Sequence, residues 1–128
     1  MIAYLDTNVV VWLAQGDLKR ISRKAQNSLA ETTTDILISP MVLIELEYLY
    51  EVARIRLSAR DVLSKVEHEI GARVCDLPFA TVANIMLDEK WTRDPFDRMI
   101  VAQAKANGLA HLISADDEIA AHYPRTIW

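Results

Sequence analysis

This chain of 128 residues is poor in the residues that mark several common kinds of protein. It has one cysteine, Cys75, so no internal disulfide can form, and the apolar flanks of that residue predict a buried structural thiol. Its three glycines, Gly16, Gly71 and Gly108, lie far apart, which excludes a glycine-rich phosphate loop. His68, His111 and His122 are scattered and show no zinc-ligand spacing with Cys75. No apolar run approaches membrane-spanning length. The first residues carry no basic stretch before an apolar one, so no signal peptide is expected and a cytoplasmic location is. Repeats, low-complexity tracts and linkers are also lacking, and residues 1–128 read as one domain.

What is present favours an ordered core: 52% of residues are hydrophobic and 25% charged. The net charge of -4 argues against binding nucleic acid by bulk electrostatics. It leaves room for a nucleic-acid enzyme, because carboxylates that hold a metal do not repel phosphate once the ion is bound. The basic residues are grouped, Lys19, Arg20, Arg23 and Lys24 in one place and Lys90, Arg93 and Arg98 in another. The first group reads as a solvated face.

The chain is organised around Met1 to Asn8. Ile2 to Leu5 is a short apolar run without alternation, the mark of a strand buried on both faces. It breaks into Asp6-Thr7-Asn8, a strand-to-helix turn in which Thr7 or Asn8 is placed to cap the following helix, and a turn or cap role is the plain structural reading of Asp6 as well. Asp6 then stands at the carboxyl end of the strand, the edge where open parallel sheets bind ligands. Gly16-Asp17 ends that helix. A short amphipathic helix covers Ser22 to Glu31, with Ile21, Ala25 and Leu29 inward. Ile36 to Ile38 is a second buried strand. Ser39-Pro40 opens a helix that runs to about Arg54, and Ser58 opens another that runs to Gly71, with Asp61 placed for a capping contact. Val74 to Leu77 is a third strand, and a helix covers Phe79 to about Glu89. Asp94-Pro95 starts the next helix, which Asn107-Gly108 ends. His111 to Ser114 is a fourth strand, Asp117 to His122 a last helix, and Thr126 to Trp128 a fifth, edge strand. Strands alternating with helices predict an α/β fold with a mainly parallel, roughly five-stranded central sheet flanked by helices.

Several acids are out of place for a structural role. At about 100° per residue, Glu47, Glu51 and Arg54 form the polar face of their helix, whereas Glu45 falls among Met41, Leu49 and Val52. A carboxylate on the apolar side is costly unless it is paired or bound to metal. Asp94 stands where an N-cap belongs, but Asp97 projects between Ile100, Val101 and Ala104. Asp116 follows the fourth strand as Asp6 follows the first, although it, Ser114 or Asp117 would also serve as a cap. Helices that follow parallel strands begin at the same edge, which brings Glu45 and Asp97 toward Asp6 and Asp116. Crowded carboxylates repel one another unless a cation bridges them, and hard oxygen ligands suit Mg²⁺ or Mn²⁺.

The chain resembles a PIN-domain ribonuclease, in particular the VapC-type toxins of toxin–antitoxin pairs. The residues that carry the resemblance are Leu5-Asp6-Thr7-Asn8, Ser39-Pro40 through Glu45-Leu46, Asp94-Pro95-Phe96-Asp97-Arg98 leading into Ile100 to Ala104, and Leu112 to Asp116. The Asp-Pro-Phe-Asp-Arg block is the most specific. The resemblance implies a PIN-like three-layer sandwich and a Mg²⁺- or Mn²⁺-dependent endoribonuclease that leaves 5′-phosphates. It further implies a cognate VapB-type antitoxin and a homodimer. Carried over, the metal and catalytic site is Asp6, Glu45, Asp97 and Asp116, with Asn8 and Ser114 supporting it. Arg98, or the group of Lys90 and Arg93, would hold the RNA backbone. Trp91 and Phe96 are candidates for base stacking. Other readings fit less well. A phosphate-accepting receiver domain wants a lysine after its final strands, and no lysine follows His111. A two-aspartate phosphatase wants an Asp where Asn8 stands. The small size disfavours a structure-specific DNA nuclease, and four retained acids disfavour an idle binding module.

Overall fold

The computed structural model describes residues 1–128. Three consecutive residues of the first strand, β1 (Ile2–Leu5), are fully buried: Ala3, Tyr4 and Leu5. Neighbouring strand residues point to opposite faces, so both faces of the sheet are covered and the molecule has three layers. Beside β1 the sheet contains β2 (Asp35–Ile38), β3 (Arg73–Val74), β4 (His111–Ile113) and β5 (Thr126–Ile127). All five strands are parallel, in the order β3-β2-β1-β4-β5. The chain builds outward from β1 to β3, then crosses back to lay β4 on the other side of β1. The reversal between β1 and β4 is the crevice that open sheets of this kind use for ligands.

The helices are α1 (Thr7–Gln15), α2 (Arg23–Ala30), α3 (Pro40–Glu51), α4 (Ala59–Ile70), α5 (Phe79–Met86), α6 (Pro95–Ala106) and α7 (Asp117–His122), with a 3₁₀ turn at Leu18–Arg20. Most start at a side-chain cap. Ser22, Ser39, Ser58, Asp94 and Asp116 each accept hydrogen bonds from backbone N–H groups of the first turn. Gly16 and Gly71 end α1 and α4 in the left-handed conformation, at φ 70° and 68°. None of these helices is long and apolar enough to cross a membrane.

Of the cap candidates Asp6, Thr7 and Asn8, Asp6 is the N-cap of α1. The structure corrects the expected boundaries in three places. Helix α3 stops at Glu51, because Ala53 turns left-handed at φ 62° and Arg54 N–H folds back to Leu49 O. Val52 is consequently outside the helix and exposed, not beside Glu45. Strand β3 is only Arg73–Val74, followed by one more sheet-like bond from Cys75 N–H to Ile38 O. Helix α5 ends at Met86, three residues early.

A polar network runs through the core between β1, the start of α3 and α6. Gln103, 2% exposed, accepts a hydrogen bond from Ser39 Oγ (3.1 Å) and donates to Cys75 Sγ (3.5 Å). Tyr4 Oη donates to the same sulfur (3.1 Å) and accepts from Asn107 Nδ2 (2.8 Å). Burial pushes the Tyr4 hydroxyl up to about 12, so it remains a donor. Cys75 is the buried structural thiol expected from the sequence.

Candidate active site

The reversal point of the sheet is where the acids meet. Asp6 follows directly on β1, and its N–H donates to Ile113 O of β4 (3.0 Å), which fixes it in the crevice. Its side chain is 7% exposed and fully engaged on the protein side. Oδ1 accepts from Thr7 N–H (2.8 Å) and Oδ2 accepts from Ser114 Oγ (2.6 Å). Ser114 Oγ also accepts from Asp116 N–H (3.1 Å), so one hydroxyl ties the two strand-end aspartates together. Asp116 is exposed and caps α7 through Oδ1, at 2.8 and 3.1 Å from the N–H groups of Glu118 and Ile119. The cap role and the site role thus fall on one residue, and neither Ser114 nor Asp117 is the cap.

Glu45 and Asp97 reach the same place from α3 and α6, both half-buried. The carboxyl of Asp97 is pushed up to about 7, chiefly by burial, then by the charges of Asp94, Asp6, Asp116 and Glu45 in that order. The other three acids read from the sequence are therefore all within electrostatic reach of Asp97. Asp6 is raised by burial against the opposing effect of its Ser114 and Thr7 hydrogen bonds, with Asp116 and Asp94 adding to the rise. Glu45 is raised by burial and by Asp6 and Asp94.

Burial is the first cause of all three shifts, and no cation offsets it. The ion pairs of the chain are Arg20–Asp17, Arg73–Asp35 and Lys105–Glu89, and none includes a site acid. The cluster is a concentration of negative charge without a cation of its own. Thr7 Oγ1 is buried there without a hydrogen bond of good geometry, and it faces Glu45. As the side chains stand, no three His, Cys, Asp or Glu residues approach closely enough to form a ready-made metal cage. The donor set nevertheless fits a hard divalent ion, since it offers carboxylate oxygens, an orphaned hydroxyl and uncompensated charge.

The remaining expected residues are placed differently. Asn8 is exposed on the first turn of α1 and lines a neighbouring cavity, with no hydrogen bond to the acids. Arg98 is half-buried; Nη2 donates to Met86 O at the end of α5 (3.3 Å), and Nε is buried without a partner. It is neither a surface ion pair nor a free backbone clamp. Trp91 donates from Nε1 to Glu89 (2.7 Å), and its ring stacks on His122 with centroids 4.9 Å apart, so that face is not open to a base. Phe96 is half-buried, and Lys90 and Arg93 are exposed. Sequence reasoning missed three contributors. Asp94 caps α6 as expected, yet its charge is also the strongest electrostatic influence on Asp97. Thr7 was legible as the residue after Asp6 but was read only as a cap. Gln103 was legible as a polar residue inside the apolar stripe of α6.

By fold the chain is similar to VapBC2 from Rickettsia felis bound to a DNA fragment from its promoter, at 20% identity and a TM-score of 0.63, covering 98% of this chain and 96% of that one. A toxin–antitoxin complex from Klebsiella pneumoniae matches at 17% identity and a TM-score of 0.65, covering 98% and 96%. DNA-bound VapBC from Salmonella typhimurium matches at 20% identity and a TM-score of 0.61, covering 98% and 95%. No match was found among curated protein sequences. The PIN domain family model matches residues 3–123, a span that contains every strand but β5 and all four acids. With the acids gathered at the reversal of a parallel sheet, and the family model spanning nearly the whole chain, this protein belongs to the PIN domain family.

Proposed function

We propose that this protein is a metal-dependent endoribonuclease of the VapC type, a toxin neutralised by a cognate antitoxin. The observation that carries the proposal is the convergence of Asp6, Glu45, Asp97 and Asp116 from four elements on one crevice with no cationic partner. Similarity to chains from toxin–antitoxin complexes supports the toxin part of the reading. A Mg²⁺ or Mn²⁺ ion held by these four acids would supply Lewis acidity, activating water and offsetting charge on the leaving oxygen of a phosphodiester.

The rest is the work of the chain. Ser114 and the Thr7 N–H hold Asp6 in one orientation by charge-assisted hydrogen bonds, and Ser114 places the Asp116 backbone beside it. Burial of Asp6 and Asp97 keeps water from screening their charge, which raises the attraction for a divalent ion. Asp97, with its carboxyl at about 7, gives up its proton when a cation arrives. An antitoxin arginine or lysine placed among the same acids would supply a cation by another route and block the crevice.

The test is cleavage of a mixed cellular RNA pool by purified protein with Mg²⁺, with Mn²⁺ and with chelator, followed by sequencing of the cut ends. Cutting that needs metal and leaves 5′-phosphates is expected. Undiminished cutting after thorough chelation would overturn the metal mechanism. For the antitoxin, the expected outcome is that the product of the adjacent gene binds this chain and suppresses its toxicity; failure of both refutes that part.

A further inference from the structure

An enzyme that cuts RNA at an acidic cluster needs cations nearby to hold the strand, and the arginine expected to do so, Arg98, is committed to the end of α5. Two other arginines share a cavity with Asn8, the second residue after Asp6. A cavity of about 260 Å³ lies in the seam between α1 and α3, lined by Asn8, Trp12, Gln15, Arg20, Leu49 and Arg54. It runs along both helices from their acid-bearing ends toward their far ends. Asn8 is two residues after Asp6, and Leu49 is one turn after Glu45 on the same face of α3, a rise of about 6 Å.

The lining has the chemistry of an anion site. Arg54 is exposed and makes neither an ion pair nor a side-chain hydrogen bond, because α3 has already ended and the left-handed Ala53 sets it at the corner. Arg20 is held by Trp12, its guanidinium 5.8 Å from the ring centroid. Its only ionic partner is the exposed Asp17, a pairing of the kind that contributes little. Asn8 and Gln15 add neutral donors without hydrogen bonds of their own. No acidic residue lines the cavity. A guanidinium with free donors, a second one preorganised on an indole and two side-chain amides suit a phosphate diester.

We propose that this cavity holds a backbone phosphate of the RNA strand some way along from the bond being cut, with Arg54 as the principal contact. The inference rests on the endoribonuclease reading above. It makes the α1–α3 seam the path of the strand.

The test is binding of a short fluorescent single-stranded RNA by anisotropy, with Ca²⁺ present, at several salt concentrations. Arg54→Gln is compared with Lys24→Gln, which removes an equal charge from an exposed position on α2 outside this cavity. Arg54→Gln is expected to weaken binding about tenfold and to flatten the slope of log K against log salt by about 0.7. Arg54→Lys should restore the slope, and Lys24→Gln should leave both unchanged. Equal losses in the two glutamine variants would mean bulk charge only and overturn the proposal, as would unchanged binding by Arg54→Gln or no binding by the wild type. Cleavage in Mn²⁺ is read separately. Binding that depends on Arg54 without any cleavage would refute the nuclease reading and leave the phosphate site standing.

Discussion

Asp94 and Asp97 share the first turn of α6 and show how far one carboxylate differs from another. Asp94 Oδ1 caps the helix at 2.8 Å from Phe96 N–H and 3.3 Å from Asp97 N–H, while Asp97 points into the cluster. Asparagine caps about as well as aspartate, so Asp94→Asn should melt like the wild type. It also removes the charge that acts most strongly on Asp97, so cleavage should fall, by about tenfold at most. Asp97→Asn keeps the shape but removes a site charge, and cleavage should fall by about two orders of magnitude or more. An active Asp97→Asn beside an inactive, folded Asp94→Asn would reverse the assignment. Proton linkage gives a second check. Asp97 titrates at about 7 in the folded chain against an ordinary 3.8, so the native state binds the extra proton between those values. The stabilisation is full below the lower value and is lost as the pH rises through the upper one. Without metal, the melting temperature should fall as pH rises from 4 to 8, less so in Asp97→Asn. Added Mn²⁺ should flatten the dependence, and a metal-free protein that gained stability over that range would contradict the crowding of these acids.

Helix starts were legible in the sequence because they are local. A serine or aspartate bonds backbone groups two or three residues ahead, and Ser22, Ser39, Ser58 and Asp94 were each placed as they stand. Helix ends were less legible. Nothing in Val52-Ala53-Arg54 announces a stop, and the left-handed Ala53 is chosen by how the chain must turn toward α4. Glu45 and Asp97 stood out because a carboxylate on an apolar face violates a rule that can be checked by projection, and Asp6 and Asp116 because each follows a strand. What orients them was not. The Asp6–Ser114 bond joins residues 108 apart, and the Asn107–Tyr4 bond residues 103 apart, and only the assembled sheet brings those pairs together. The Gln103 network is of this kind. It ties α6 to the start of α3, the two helices that carry Asp97 and Glu45. Gln103→Leu leaves buried polar groups on Ser39 and Cys75 short of partners and should cost about 1–3 kcal/mol by denaturant titration. A loss near zero would show that the network does not fasten the two helices.

The whole molecule has a filled core under an uneven surface. Ile44 and Tyr48, one turn apart on α3, are exposed at 52% and 56%, with Leu57 nearby in sequence at 37%. Apolar groups grouped in this way mark an association face, and a homodimer through α3 is the proposal. Light scattering at micromolar concentration should give the mass of two chains, and Ile44→Glu with Tyr48→Glu should give one; a wild-type monomer would contradict it. The sheet order β3-β2-β1-β4-β5 has a consequence of another kind. Asp6 leaves the ribosome 108 residues ahead of Ser114 and further still ahead of Asp116. Until β4 arrives, β1 has no neighbour on that side, and Asp6 has neither its hydroxyl partner nor its companion acid. On the proposed function, a nascent chain without β4 lacks an assembled site and spares the messenger being read. A premature stop before β4 yields a fragment with three fifths of the sheet and Asp6 without Ser114 or Asp116 beside it, so the acidic crevice is closed only when β4 is laid down.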